Sequence, residues 1–187
     1  MFKLGRRLNV RGLDVRVYPY PTRWALSVYR KKVRENDALG LLYFSENDGS
    51  EVIISHSNGS LVTQDAMRLG LRAKGWISFG GAATSDGVSY QDYNFDWAIS
   101  VYNPHDWALK VGAILPYHGF GHLGLEGYRG NPDGSYDRRW RNVNGASSKR
   151  FAINHSHYTG REIDLWEEFS YNNAIEGHSQ LKVIRPS

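Results

Sequence analysis

Two histidine clusters are the first candidates for chemistry. His118-Gly-Phe-Gly-His122-Leu-Gly-Leu-Glu126 sets two imidazoles and a carboxylate at four-residue steps. On a helix that spacing aligns three metal-ligating groups on one face. Gly119, Gly121, Gly124 and Gly127 argue against the helix, since each costs about 1 kcal/mol relative to Ala. In an extended segment the even spacing still keeps the three groups on one side. His155-Ser-His157 places two imidazoles on one face of an extended stretch. That pattern suits a metal or glycan contact, but its commoner form is a pair of ordinary surface or edge histidines, so no metal site is expected.

Nucleophilic chemistry has little local support. The chain has no Gly-x-Ser-x-Gly elbow, no P-loop and no dinucleotide fingerprint. It contains no cysteine, which excludes disulfides, thiolate zinc sites and cysteine nucleophiles. No catalytic residue and no cofactor is therefore expected, and an enzyme is the weaker class. Asn58-Gly-Ser60 and Asn154-His-Ser156 match the glycosylation acceptor pattern but, with no export signal before them, are expected to be idle. The aromatics offer more: 12 Tyr, 7 Phe and 6 Trp, with Trp76, Trp97, Trp107, Trp140 and Trp166 beside polar residues. Such rings pack on the C–H face of a sugar, or else fill a core.

The elements that must position these groups follow mostly a two-residue period. Val15–Tyr18, Trp24–Tyr29, Leu39–Phe44, Glu51–Ser55, Trp76–Phe79, Trp97–Tyr102 and Ser179–Ile184 are the expected strands. Asn47-Asp48-Gly49, Asn58-Gly59, Asp86-Gly87, Asn131-Pro132-Asp133-Gly134 and Asn144-Gly145 supply turns between them. Two helices interrupt the pattern: Thr63–Arg72, with Thr63 as N-cap and an end near Gly70, and Thr159–Phe169, which opens on a capping-box pattern. Many short strands separated by turns predict a mainly β fold, a sandwich or barrel. At 187 residues the chain suits one domain, and no apolar run approaches the roughly 20 residues that span a bilayer.

Charge is distributed unevenly. Ten of the 23 Lys and Arg residues fall in residues 1–34, where Asp14 is the only acid, so the remainder is slightly acidic. A basic arm over residues 1–22, ahead of a single domain over 23–187, points to an anionic membrane or nucleic acid, or to a neighbouring subunit.

Three segments resemble the fungal fruit-body lectin family, whose fold is like that of the actinoporin toxins. They are Leu26–Tyr29, the stretch Trp97-Ala-Ile-Ser-Val-Tyr-Asn-Pro-His-Asp-Trp-Ala-Leu-Lys-Val111, and the C-terminal residues Gly160-Arg161-Glu162 through Glu168, Tyr171, Ala174-Ile175 and Gln180–Val183. The resemblance implies an actinoporin-like β-sandwich with one or two short helices, assembled as a homo-oligomer. It also implies a galactose/N-acetylgalactosamine site on Asn103 with Asn47, Asp48 and Gly49, and a second sugar site on Arg161 and Tyr171. Where the family carries its own sugar-binding loop this chain has Arg68, Arg72 and Lys74, and Leu109-Lys110-Val111-Gly112 replaces the second site's acidic segment.

The sequence thus predicts a non-enzymatic lectin that binds cell-surface or glycoprotein glycans, cytoplasmic or released without a signal peptide. A pore-forming cytolysin of the actinoporin type and a structural subunit with a basic arm are the alternatives.

Overall fold

Val52, Ile53 and Ile54 are consecutive and all fully buried. A strand that is apolar on both faces has to be covered on both, which is the situation of a parallel sheet held between helices. The computed structural model describes residues 2–20, 31–84, 94–114, 121–131, 133–145, 155, 158, 162–177 and 180–186. Its strands are β1 (Asp14–Tyr20), β2 (Val52–His56), β3 (Ala73–Phe79), β4 (Phe95–Tyr102), β5 (Trp140–Asn144) and β6 (Gln180–Pro186). They form one six-stranded sheet in the order β1-β6-β2-β3-β4-β5, and every pairing is parallel.

The helices are α1 (Phe2–Val10), α2 (Lys31–Phe44), α3 (Asn58–Arg68), α4 (Trp107–Ile114), α5 (Leu123–Glu126) and α6 (Ile163–Gly177). Alternate strand residues feed two separate cores. Ile53, Trp76 and Ala98 pack with Ala38 and Leu41 of α2 and with Val62, Ala66 and Met67 of α3. Val52, Ile54, Ile77, Phe79, Ile99 and Val101 pack with Leu4 and Leu8 of α1 and with Ile163, Trp166 and Ala174 of α6. The period-two pattern of the strands is thus apolar on both faces, as a central sheet requires.

The expected mainly β, actinoporin-like β-sandwich is overturned: the chain is α/β. Three expected strands, Glu51–Ser55, Trp76–Phe79 and Trp97–Tyr102, fall on β2, β3 and β4; the expectation fails at the connections and at Leu39–Phe44. Asn58-Gly59, expected as a turn, opens α3, so β2 and β3 are joined by a helix and run parallel. Leu39–Phe44, expected as a strand, is the apolar end of α2, whose first half is charged. Thr63 is not an N-cap but lies inside α3, where its hydroxyl bonds back to the Gly59 carbonyl at 2.8 Å. The expected strand Trp24–Tyr29, and with it the resemblance at Leu26–Tyr29, lies outside the described residues.

Within the expected basic extension, residues 2–20 are built into the sheet and its cover. Leu4 and Leu8 of α1 are fully buried, and β1 is the edge strand on β6. Three of the arm's arginines meet acids of the same chain. Arg7 pairs with Asp164 and Glu167, and Arg11 pairs with Glu168 while its guanidinium lies 3.5 Å over the Tyr171 ring. Arg16 reaches Glu46 and Glu51. Among the described residues, no helix is long and apolar enough to cross a membrane.

Candidate active site

Between β2 and α3 the chain turns on a single residue. Ser57 has φ 56° and ψ −128°, a backbone conformation that residues with a Cβ avoid. Among the described residues only Asn47 shares a positive φ without being glycine. Such strain, of order 1–3 kcal/mol, persists only where the surroundings over-determine it. Here they do. The Ser57 N–H donates to the Phe79 carbonyl at 3.1 Å, and its carbonyl accepts from Ala82 N–H and Ser60 N–H, each at 3.0 Å.

Below the turn a row of small residues lets α3 sit close to the strands. Ser55, Ser78 and Ser100 are register partners on β2, β3 and β4, all fully buried. Ser60, in the first turn of α3, is 2.9 Å from the Ser55 hydroxyl and accepts from Ser78 at 2.8 Å. The Trp76 indole N–H donates to Ser55 at 2.8 Å, and Ser100 donates to the Leu123 carbonyl at 3.1 Å. A side chain at Gly81 would collide with both Ser78 and Ser60.

The second half of the site comes from β4 and from the segment after β5. Asp106 is fully buried at the head of α4. One carboxylate oxygen, Oδ1, accepts the Leu109 N–H at 3.1 Å and so caps the helix, whose N-terminus favours the negative charge. The other, Oδ2, lies 2.6 Å from His155 Nδ1. With Asp106 ionised, His155 donates through Nδ1–H, which leaves Nε2 with a free lone pair.

The two halves meet. Ser57 is bonded to Phe79, and the next residue, Gly80, faces the His155–Asp106 pair: a Cβ placed there would stand 3.3 Å from Asp106 Oδ2 and 3.6 Å from His155 Cε1. His56, immediately before Ser57, has its ring 4.7 Å from that of His155, and its Nε2–H donates to the His155 carbonyl at 2.7 Å. Burial, and then the neighbouring His155, push the His56 imidazole down to about 3, so it is neutral at ordinary pH. Tyr158 packs edge-on against His56 at 6.1 Å and against Trp166 and Phe79 behind it; burial pushes its phenol well up. The whole group lies at the carboxyl ends of the strands, the edge where open parallel sheets bind ligands.

The residues expected to form the first sugar site do not converge. Asn103 is 1% exposed, and its side-chain oxygen accepts the His105 N–H at 2.9 Å, so it shapes the turn that leads to Asp106. Asn47, Asp48 and Gly49 precede β2 and therefore lie at the opposite edge of the sheet from Asn103, which follows β4. Asn47 accepts the Arg72 N–H at 2.6 Å, and Asp48 accepts both the N–H and the hydroxyl of Ser50. Tyr171 lies on α6 under Arg11; Arg161 lies outside the described residues. Of the first histidine cluster, His118 is outside the described residues, His122 is exposed, and Glu126 pairs with Arg129 at 2.6 Å. Among the described residues no group of His, Asp and Glu could hold a metal ion. Asn58 is buried, which leaves no room for a glycan there.

The sequence alone marks neither Ser57 nor Asp106, and it marks His155 only as half of a pair. A relaxed pattern carries the missing signal: Ser55-His-Ser57-Asn-Gly59 has a small residue two places before and two places after a serine, directly behind a β-like run. Serine, not glycine, stands at the first position, so the strict elbow pattern does not match. Compared with protein-family models, curated proteins and solved structures, the chain matches none.

Proposed function

We propose that the chain is a serine hydrolase that cleaves an ester, thioester or amide through Ser57, His155 and Asp106. The observation that carries this reading is the strained Ser57 turn, held at the sheet edge where His155 and Asp106 form a 2.6 Å pair. Strain of this kind exposes a serine hydroxyl at the top of a parallel sheet, and the chain order Ser, Asp, His is the one used by α/β-hydrolases, a likeness of arrangement only.

The mechanism follows from the roles. His155 Nε2 takes the Ser57 hydroxyl proton as Oγ attacks the acyl carbon. Asp106 holds the imidazole in the needed tautomer and stabilises the imidazolium. The negative charge that develops on the acyl oxygen lies at the N-terminal end of α3, which directly follows the nucleophile and whose helix dipole favours negative charge. His155 then gives its proton to the leaving group, and the acyl group stays on Ser57. Water, deprotonated by His155, attacks this acyl-enzyme and releases the acid, restoring the Ser57 hydroxyl.

The lectin reading leans on the sandwich and on Asn103, and neither feature is available to support it. Rapid mixing with p-nitrophenyl acetate tests the proposal: a burst of one nitrophenolate per chain is expected, absent in Ser57→Ala. Equal release by the wild type and Ser57→Ala would refute it.

A further inference from the structure

The pairing of His155 with Asp106 fixes one end of the imidazole, yet a ring held at a single nitrogen can still swing if its main chain shifts. The other end of this residue is held as well. His56 Nε2–H donates to the His155 carbonyl at 2.7 Å, and the two rings lie 4.7 Å apart. We infer that His56 is a positioning residue, which clamps the main chain of the catalytic base to the turn that carries the nucleophile. This rests on the hydrolase reading of Ser57 and names a further participant in the same site.

Three observations converge on this role. First, His56 and Ser57 are adjacent, so one turn sets both the nucleophile and the anchor of a base that lies 98 residues further along the chain. A shift of either partner moves both together, which preserves their mutual distance. Second, the carbonyl can only accept, so the bond requires the Nε2–H tautomer of His56. Third, His56 stays neutral beside an imidazole that must become positive during the reaction; a charged residue in its place would oppose that step. Tyr158 supports the clamp by closing over the His56 ring edge and over Gly80 and Gly145, where an added Cβ would approach its ring at 3.1 and 3.0 Å.

The clamp is testable with two variants and one spectrum. His56→Phe keeps a ring of similar size but loses the donor; His56→Gln restores an N–H at similar reach. With p-nitrophenyl acetate, kcat for His56→Phe is expected to fall by on the order of 100-fold, the usual consequence of a misplaced reacting group, with KM little changed. His56→Gln is expected to recover most of the lost rate. Wild-type kcat in His56→Phe, or an equal loss in both variants, would overturn the inference. Nitrogen NMR of the unaltered protein decides independently of whether the variants fold. His56 is expected as a neutral Nε2–H tautomer from pH 8 to pH 5, and a titrating ring or the Nδ1–H tautomer would overturn the inference. A wild-type chain no faster than Ser57→Ala would instead bring down the hydrolase reading itself, and the clamp with it.

Discussion

Among the described residues, two turns hold a residue other than glycine at positive φ, and they differ in what keeps them there. Asn47, at φ 54°, sits before β2 in a turn with Asp48 and Gly49. Asparagine tolerates that conformation, and its own side chain ties the turn to the segment before β3 by accepting the Arg72 N–H. Ser57, at φ 56°, follows β2, and serine has no such aptitude. It is kept in place from outside, by Phe79, Ala82 and the serine row beneath it. The lesson is that strain matters where the residue itself gains nothing from it. Asn47 fulfils a structural need of its own, whereas Ser57 is forced into place beside a buried carboxylate and an imidazole.

Substitutions should drive the two turns apart. The largest effect is expected from Ser57→Ala, with ester turnover falling on the order of 10⁵-fold or more, as for other serine nucleophiles. Asn47→Ala should leave turnover unchanged. Next, Asp106→Asn should lower kcat by about 10⁴-fold through the wrong imidazole tautomer. Its melting temperature should stay close to wild type because asparagine still caps α4; a loss of activity explained by unfolding would blunt the comparison.

Acid should act on the Ser57 turn before the Asn47 turn. His56 binds its proton far less readily in the folded chain, near pH 3, than in the unfolded one, near 6.5. The unfolded state therefore holds more protons across that window, so the contribution is complete above pH 6.5 and is lost as the pH falls toward 3. Denaturant titrations should show stability declining through this window, with a flatter slope in His56→Gln. The smallest effect concerns strain alone. Ser57→Gly should raise stability by about 1 kcal/mol as the backbone relaxes, whereas Asn47→Ala should lower it by about 1 kcal/mol. Calorimetry on both variants would read the opposite signs directly.

Much of the strand layout was legible in the sequence because apolar alternation survives in any sheet. Direction was not, because it is set by what joins the strands. Asn58-Gly59 serves a hairpin turn or a helix start equally well, and only the packing of Val62, Ala66 and Met67 on the sheet decides between them. The basic first segment was visible, but its partners Asp164, Glu167 and Glu168 lie more than 150 residues away. The site was hidden for the same reason. Ser57, Asp106 and His155 are separated by about 49 residues at each step, and no local spacing links them. The lectin resemblance makes Asn103 a sugar contact, yet its side chain is used to turn the chain toward Asp106.

Covalent labelling tests the central claim most directly. A fluorophosphonate reacts far faster with a serine whose hydroxyl is activated by a base than with ordinary side chains. After incubation with the intact chain and digestion, peptide mass mapping should place one adduct on Ser57, with none in Ser57→Ala or His155→Ala. An unlabelled wild-type chain, or an adduct on another serine that survives in Ser57→Ala, would contradict the account.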